Sequence, residues 1–178
     1  MRDRLRESFR WLGDRTDPDE RADPTGWWRD PQTLAELGPA LADLFADEAP
    51  KVVVGPQSRG SLLGALVALH LGAGFVELVK DPGPAADSDA WIQVTTPPDY
   101  RDRHLRLGAR RSLLRAGDRV LFVDDWVATG AQVEASFDLV GRSGATWLGA
   151  AVVVDAAERA VLRRKVRLRS LLHVRDLW

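Results

Sequence analysis

The residues that decide the fold are 120–130, which read VLFVDDWVATG. The apolar run at the start of this stretch predicts a buried strand, which ends in two adjacent carboxylates, Asp124 and Asp125. The small turn 128–130 then leads into a predicted helix at 131–142. Ligands of open α/β sheets bind at the carboxyl ends of strands, and the free N–H groups at a helix start favour a phosphate. The pattern therefore predicts an anion site at this turn.

The paired acids need a partner other than the phosphate, because a carboxylate repels an anion. Carboxylates only accept hydrogen bonds, so the adjacent hydroxyls of a ribose or a metal ion suit Asp124 and Asp125. One ligand with a phosphate and a vicinal diol satisfies both halves of the turn. The alternative interpretation is that the two acids only cap the following helix.

Apolar patterns on both sides of this stretch alternate between strand and helix. Further strands are predicted at 52–54, 75–79, 147–154 and 171–174, and further helices at 33–46, 60–71 and 156–164. The alternation predicts an α/β fold in which a mainly parallel sheet has helices on both faces. Residues 81–98 are rich in Pro, Gly, Asp and Ala and predict a long loop, and the first thirty residues read as irregular.

The composition predicts one soluble domain. The chain has 178 residues, of which 45% are hydrophobic and 29% are charged, and its formal net charge is -1. This balance argues against a protein that coats nucleic acid or an anionic membrane. The absence of cysteine excludes disulfides, thiolate metal sites and thiol nucleophiles. No apolar run is long enough to span a membrane and no signal peptide is visible, so we expect a cytoplasmic protein.

Within this stretch, residues 123–130 (VDDWVATG) resemble the phosphoribosyl pyrophosphate motif of type I phosphoribosyltransferases, in which two acids precede Ala-Thr-Gly. The resemblance implies that Asp124 and Asp125 hold the ribose hydroxyls. It assigns the 5′-phosphate to Ala128, Thr129, Gly130, Ala131 and Gln132. It also implies a magnesium ion (Mg2+), held largely by pyrophosphate and ribose oxygens, with Asp124 or Asp125 as nearby metal ligands.

A second motif, GPQSRG at 55–60, follows a predicted strand and precedes a predicted helix. It resembles the pyrophosphate loop of adenine phosphoribosyltransferases, which implies that Ser58 and Arg59 contact the pyrophosphate. Two other interpretations each lack a defining residue. An ATP-binding P-loop needs a lysine after its last glycine, and a hydrolase nucleophile elbow needs a glycine where Pro56 stands.

Three further matches follow the order of the adenine-specific family. Lys80 resembles a lysine that supports pyrophosphate, and Asp99 with Tyr100 resembles the Glu-Tyr pair of a catalytic lid. Trp28 and Arg29 resemble part of a hood over the base, where the aromatic ring stacks on it. Ordinary core packing is the alternative for the tryptophan. The resemblance implies a single domain, 1–178, with a small N-terminal hood at 1–32, a core at 33–178 and a flexible lid at 81–100.

The chain departs from the family at several of these positions. Ala131 and Gln132 stand where Gly-Thr is usual, Gln57 stands where an acid is common, and Asp99 replaces a longer glutamate. A second lysine expected shortly after Lys80 is absent. If the backbone at 131 required a positive φ, alanine would cost about 1 kcal/mol against glycine.

The resemblance implies an enzyme of purine salvage that transfers phosphoribose from phosphoribosyl pyrophosphate to a purine base, adenine being expected. Arg59, Asp99 and Tyr100 would be its catalytic residues, and the chain would form a homodimer. The alternative is a regulator that kept the fold and binds a nucleotide or phosphoribosyl pyrophosphate with little catalysis. The basic stretches 101–115 and 163–169 could then serve nucleic acid, although the balanced charge favours a solvated, charged surface.

Overall fold

The computed structural model describes residues 1–13, 21–83, 86, 88–96 and 104–178. The strands are β1 Arg10–Leu12, β2 Arg21–Asp23, β3 Val52–Pro56, β4 Gly74–Lys80, β5 Trp91–Thr95, β6 Arg106–Arg110, β7 Arg119–Val127, β8 Thr146–Asp155 and β9 Leu168–His173. The helices are α1 Arg2–Ser8, α2 Thr25–Arg29, α3 Pro31–Asp43, α4 Arg59–Leu71, α5 Ala131–Arg142 and α6 Ala160–Lys165. Short 3-10 turns follow at Ala46–Glu48, Arg111–Leu113 and Val174–Leu177.

The central sheet is seven-stranded, in the order β5-β6-β4-β3-β7-β8-β9. Its strands β4, β3, β7, β8 and β9 are parallel neighbours, whereas β6 and β5 pair antiparallel at one edge. The prediction of a mainly parallel sheet in an α/β fold is thus confirmed. Residues of β7 from Val120 to Asp125 are all buried, as expected of a central strand covered on both faces.

Two apolar cores lie on opposite faces of this sheet. On one face, Val53 and Leu121 pack with Leu37 of α3 and Leu63 of α4. On the other face, the next residue of each strand packs against α5 and α6, through Val54, Phe122, Leu139 and Leu162. Alternate side chains of a strand point to opposite faces, so one continuous apolar run supplies both cores.

Two helices have ends that the sequence explains. Asp30 accepts a hydrogen bond from the Thr33 N–H at 2.6 Å and caps α3, which begins earlier than predicted, at Pro31. Helix α4 ends at Gly72, whose φ of 63° is the left-handed conformation that glycine adopts readily. The predicted helix at 131–142 is confirmed residue for residue.

The prediction of a long loop at 81–98 is wrong at Trp91–Thr95. Strand β5 lies there and pairs with β6, and it buries Ile92 and Val94 while its alternate residues are more exposed. Such a short alternating pattern is easily hidden by a neighbouring stretch rich in proline and glycine.

The prediction that the first thirty residues are irregular is also wrong. They contain α1, the β1-β2 hairpin and α2, and they bury Leu5, Phe9 and Trp27. The Trp27 Nε1–H donates to the Leu5 carbonyl at 2.9 Å. A Cβ on Gly26 would lie 2.1 Å from the Ser8 carbonyl oxygen, so only glycine allows α2 to approach α1 so closely. The elements are short, which leaves little periodicity to detect.

Helix α6 begins later than the predicted 156–164, at Ala160. The Asp155 carboxylate first accepts the Ala157 N–H at 2.9 Å and thereby holds the chain in a turn. Within the described ranges, no helix is long and apolar enough to cross a membrane.

Candidate active site

A cleft of about 390 Å³ lies at the carboxyl ends of β3, β4 and β7. Its size falls within the range of small-ligand sites. The structure brings ten of the predicted site residues into its lining: Ser58, Arg59, Lys80, Asp124, Asp125, Ala128, Thr129, Gly130, Ala131 and Gln132. Three loops separated in sequence therefore meet at one edge of the sheet, as parallel strands require.

The two adjacent acids are nearly buried at the end of β7. Asp124 and Asp125 are 7% and 8% exposed. One oxygen of Asp124 accepts the Asp125 backbone N–H at 2.9 Å. Burial, followed by the charge of the neighbouring Asp125, raises the pKa of Asp124 well above its usual value. Neither acid caps the following helix, because α5 has no side-chain cap and begins after Gly130. The capping interpretation is therefore wrong.

Arg59 forms an ion pair with Asp125 across the cleft. The guanidinium Nη1 lies 2.5 Å from the carboxylate Oδ2. The Arg59 side chain is 48% exposed and that of Asp125 is 11% exposed, so the pair joins an exposed cation to a nearly buried acid at the cleft surface. It joins the two loops that were predicted to hold different parts of one ligand. A ligand with a diphosphate and ribose hydroxyls offers each of these two side chains a separate partner.

The backbone of the turn has its special conformation at Gly130. This residue has a φ of 86°, and a Cβ there would lie 2.2 Å from Cδ2 of Leu162. Ala131 is the first residue of α5, with ordinary helical geometry. The departure at 131 therefore does not carry the positive-φ cost considered from the sequence.

The side chains of this turn are also informative. The Thr129 hydroxyl accepts a long hydrogen bond of 3.4 Å from the Ala131 N–H. In the part of the chain that the structure describes, the buried amide oxygen of Gln132 has no hydrogen-bond partner. Gln132 also lines the cleft, where the NH2 group of its amide is a donor for a bound ligand.

The loop between β3 and α4 is fixed by a network centred on Glu77. Gln57 donates its amide to Glu77 at 3.0 Å and accepts the Lys80 backbone N–H at 3.0 Å. The Ser61 hydroxyl donates to the same carboxylate at 2.7 Å. The Gln57–Ser58 peptide bond is cis. Position 57 lacks the acid that is common in the family, but Glu77 on the neighbouring strand β4 provides a carboxylate that holds this loop.

The structure does not bring the predicted hood residues into this cleft. Among the described residues, the cleft lining includes neither Trp28 nor Arg29. Trp28 packs edge-on against Trp27 at 5.8 Å, and Arg29 lies in a separate open groove. The reason is the attachment of α2 to α1, which turns α2 toward the core of the N-terminal segment. Asp99 and Tyr100 lie outside the described residues.

Trp126 is a cleft residue that sequence reasoning missed. It lines the cleft beside Asp125, and its ring stacks on Phe9 at 6.1 Å and meets Trp11 edge-on at 6.0 Å. Ala22 also reaches the cleft, so the N-terminal segment contributes there through its hairpin instead of α2. The sequence could have indicated this role, because Trp126 stands between the two acids and the Ala-Thr-Gly turn.

The acids provide hard oxygen ligands, but not a complete metal cage. Within the described ranges, no group of three or more His, Cys, Asp or Glu residues could hold a metal ion. Magnesium is commonly held by one or two carboxylates together with substrate oxygens. Asp124 and Asp125 fit that arrangement, in which the metal is shared with the ligand.

The family model of the phosphoribosyl transferase domain matches residues 29–175. Adenine phosphoribosyltransferase of Methylococcus capsulatus is 36% identical over 174 residues, which cover 96% of this chain and 99% of that protein. The enzyme of the same name from Streptomyces coelicolor is 39% identical over 129 residues, or 71% of this chain and 66% of that protein.

Two solved structures share the fold over nearly the whole chain. Adenine phosphoribosyltransferase from Rhodothermus marinus aligns with a TM-score of 0.79 and 27% identity, covering 97% of this chain and 98% of that chain. The Giardia lamblia enzyme, solved in complex with 9-deazaadenine, aligns with a TM-score of 0.81 and 25% identity, covering 97% of both chains.

Proposed function

This chain belongs to the phosphoribosyltransferase family, and from that membership we propose that it transfers phosphoribose from phosphoribosyl pyrophosphate to adenine. The products are the nucleotide and pyrophosphate, so the protein acts as a pentosyltransferase of purine salvage. The bond from the sugar C1 to pyrophosphate breaks, and a bond from C1 to a ring nitrogen of the base forms. The ring nitrogen loses its proton to the surroundings.

The observation that carries this proposal is the meeting of three loops in one cleft. The turn with the two acids and the start of α5 lies opposite the loop that carries Arg59 and beside Lys80. One ligand with a phosphate, a diol and a diphosphate satisfies all three. Either half of the cleft alone would be a common anion site.

The phosphoribose half binds at the turn after β7. Asp124 and Asp125 accept hydrogen bonds from the ribose hydroxyls, which fixes the sugar ring relative to the base. The N–H groups at the start of α5, the Thr129 hydroxyl and the Gln132 amide take the 5′-phosphate. Ala128, Gly130 and Ala131 bring the backbone close enough for these contacts.

The pyrophosphate half binds between the loop after β3 and the end of β4. Arg59 and Lys80 offset the negative charge that grows on the leaving group as positive charge develops at the sugar C1. Ser58 adds a hydroxyl donor at the start of α4. Magnesium, when bound, further offsets this charge, with Asp124 or Asp125 close to it.

For the base subsite, the geometry favours Trp126 over Trp28 as the aromatic platform. Trp126 lines the cleft next to the ribose site, and every purine has a π-face to stack on it. Phe9 and Trp11 support its ring from the N-terminal side. We retain Asp99 and Tyr100 as proposed lid residues that exclude water from the reacting bond.

Helix α4 supports the proposal of a homodimer. Leu62 and Leu69 lie seven residues apart on one face of this helix and are 41% and 82% exposed. Two large apolar side chains on one helical face favour contact with another apolar surface, and a second copy presents an identical one. We also propose that the dimer works in the cytoplasm.

The basic stretch 163–169 favours catalysis over the regulator alternative. Arg163 pairs with Asp155 at 2.6 Å, Arg167 donates to Glu48 at 2.5 Å, and the Arg169 guanidinium lies 4.5 Å from the Phe45 ring centre. These cations are engaged within the chain, so they form a solvated, ion-paired surface rather than a free nucleic-acid footprint.

The decisive experiment is a panel of purine and pyrimidine bases incubated with phosphoribosyl pyrophosphate and magnesium, with pyrophosphate release as the measurement. We expect release with adenine and much less with the other bases. Release with another base alone would replace adenine as the substrate. Tight binding of phosphoribosyl pyrophosphate with no release from any base would establish the regulator instead.

A further inference from the structure

Helix α6 supports the turn 128–130, called the phosphate turn below, from outside the cleft. Arg159, Leu162 and Lys165 are three residues apart at or within this helix, so they share one side of it. Leu162 occupies the space where a side chain at Gly130 would lie. Lys165 lies 3.3 Å from the carboxylate of Glu134, in the first turn of α5. The turn is therefore held between its own helix and α6.

Arg159 makes the most specific of these contacts. Its Nη2 donates to the Thr129 carbonyl oxygen at 3.2 Å and to the Glu134 carboxylate at 2.8 Å. The Arg159 side chain is 59% exposed and does not line the cleft. An exposed ion pair adds little to the free energy of unfolding. The main effect of Arg159 is therefore on the direction of the Thr129 carbonyl, which it holds by a hydrogen bond.

The direction of the Thr129 carbonyl determines where the next amide points. In a planar trans peptide, the C=O bond and the following N–H bond point in opposite directions. A carbonyl held outward by Arg159 leaves the Gly130 N–H directed to the cleft side of the turn. Gly130 has a left-handed conformation and no side chain, so the hydrogen bond from Arg159 to the Thr129 carbonyl adds a restraint on this peptide plane.

We propose that Arg159 is a positioning residue for the phosphate turn, which aims the Gly130 amide at the bound 5′-phosphate by holding the Thr129 carbonyl outward. This inference rests on the proposed function, because it assigns the turn to the phosphate of phosphoribose. Arg159 touches no substrate. Its charge is already paired with Glu134, so it acts through geometry.

The test measures the two halves of the substrate separately by calorimetry. We compare wild type, Arg159→Ala, Arg159→Lys and the control Arg164→Ala with ribose 5-phosphate and, in separate titrations, with pyrophosphate and magnesium. Arg164 is an exposed residue of the same helix, and its side chain forms no hydrogen bond, ion pair or ring contact in the described part of the chain.

We expect Arg159→Ala to weaken ribose 5-phosphate binding about tenfold, as for the loss of one well-aimed hydrogen bond to a charged group. Pyrophosphate binding stays unchanged. Arg159→Lys gives an intermediate loss, because the lysine side chain is one atom shorter and brings its nitrogen less close to the two oxygens that Nη2 of Arg159 contacts. In steady-state assays, KM for phosphoribosyl pyrophosphate rises by a similar factor, while kcat and KM for the base change little.

Equal loss of both ligands in Arg159→Ala would indicate a general structural role and overturn the inference, as would wild-type affinity for ribose 5-phosphate. The same loss of ribose 5-phosphate affinity in Arg164→Ala would show that removal of any positive charge from α6 is sufficient, and it would also overturn the inference. A wild-type protein that binds pyrophosphate but not ribose 5-phosphate would instead overturn the proposed function, and this inference with it.

Discussion

At the residue scale, Asp124 carries a charge that the folded state disfavours. Its raised pKa means that the folded protein binds this proton more tightly than the unfolded chain does. Stability from this group is therefore fully present below the ordinary aspartate pKa of about 3.9 and is lost as pH rises through the raised value. A residue kept at such a cost in the cleft is consistent with a functional role.

We therefore expect Asp124→Asn to stabilise the fold while weakening substrate binding. At neutral pH the melting temperature should rise by about 2–4 °C for each kcal/mol relieved, and the difference from wild type should shrink as pH falls toward about 4. Affinity for phosphoribosyl pyrophosphate should fall roughly tenfold or more. Thermal melts across pH together with calorimetry check both effects, and a lower melting temperature at neutral pH would contradict the assigned cause.

Trp126 and Trp28 form a matched pair for testing the base subsite. Trp126→Leu should weaken binding of the base about tenfold, because it removes a stacking surface worth roughly 1–3 kcal/mol. Trp28→Leu should leave base affinity unchanged, since Trp28 packs on Trp27 outside the cleft lining. Base affinity is measured with phosphoribosyl pyrophosphate present. Weaker base binding by Trp28→Leu, with unchanged binding by Trp126→Leu, would assign the stacking role to Trp28. Helix α2 would then have to move toward the cleft.

At the scale of elements, the start of α5 shows why a motif and its geometry must be considered together. The sequence gives reason to expect a gain from glycine at 131, where the family usually has one. The structure places the positive φ at Gly130, and Ala131 lies within the helix. Alanine is the better helix former there.

Ala131→Gly should therefore bring no gain in phosphoribosyl pyrophosphate affinity and should destabilise the protein by about 0.5–1 kcal/mol. Gly130→Ala should be far more damaging, because its Cβ would collide with Leu162 and the backbone would be strained. Chemical denaturation and calorimetry on both variants provide the comparison. Tighter binding by Ala131→Gly would mean that the turn rearranges when the ligand arrives.

The elements that the sequence predicts well are those with long or uninterrupted patterns. The apolar runs of β3, β7 and β8 and the periodic helix α5 were identified because burial on both faces, or on one helical face, leaves a clear signal. Strand β5 and the N-terminal elements were missed because none of them has an unbroken aliphatic run or a long helical repeat. Their stability comes from contacts with distant parts of the chain, such as the bond from Trp27 to Leu5.

The same reasoning explains the site. Residues carried by a motif next to a strong strand, such as Asp124, Asp125 and Arg59, were placed in the cleft correctly. Trp28 was not, because its position depends on how α2 packs on α1. Arg159 gave no signal, since its role arises from a contact between a helix and a turn thirty residues earlier in the chain.

At the scale of the whole molecule, the apolar face of α4 predicts the state of association. We expect the protein to sediment as a dimer, and Leu69→Glu to shift it to monomers, because a buried unpaired charge is costly at such an interface. Leu113→Glu is the matched control, as Leu113 is 51% exposed and lies in the 3-10 turn Arg111–Leu113 instead of α4. Analytical ultracentrifugation gives the mass. A monomeric wild type, or equal dissociation of both variants, would exclude α4 as the contact.

The contact between Arg59 and Asp125 has a consequence for selectivity in a cell full of competing anions. Arg59 and Asp125 neutralise each other's charge, so a molecule that binds either side chain competes with this ion pair. Free phosphate pairs with Arg59 but leaves Asp125 without its cation. A simple sugar donates hydrogen bonds to Asp125 but leaves Arg59 without its anion. A compound with both a diphosphate and sugar hydroxyls provides a new partner for both side chains at once. The ion pair therefore lowers the affinity for phosphate or sugar alone more than the affinity for the intact substrate.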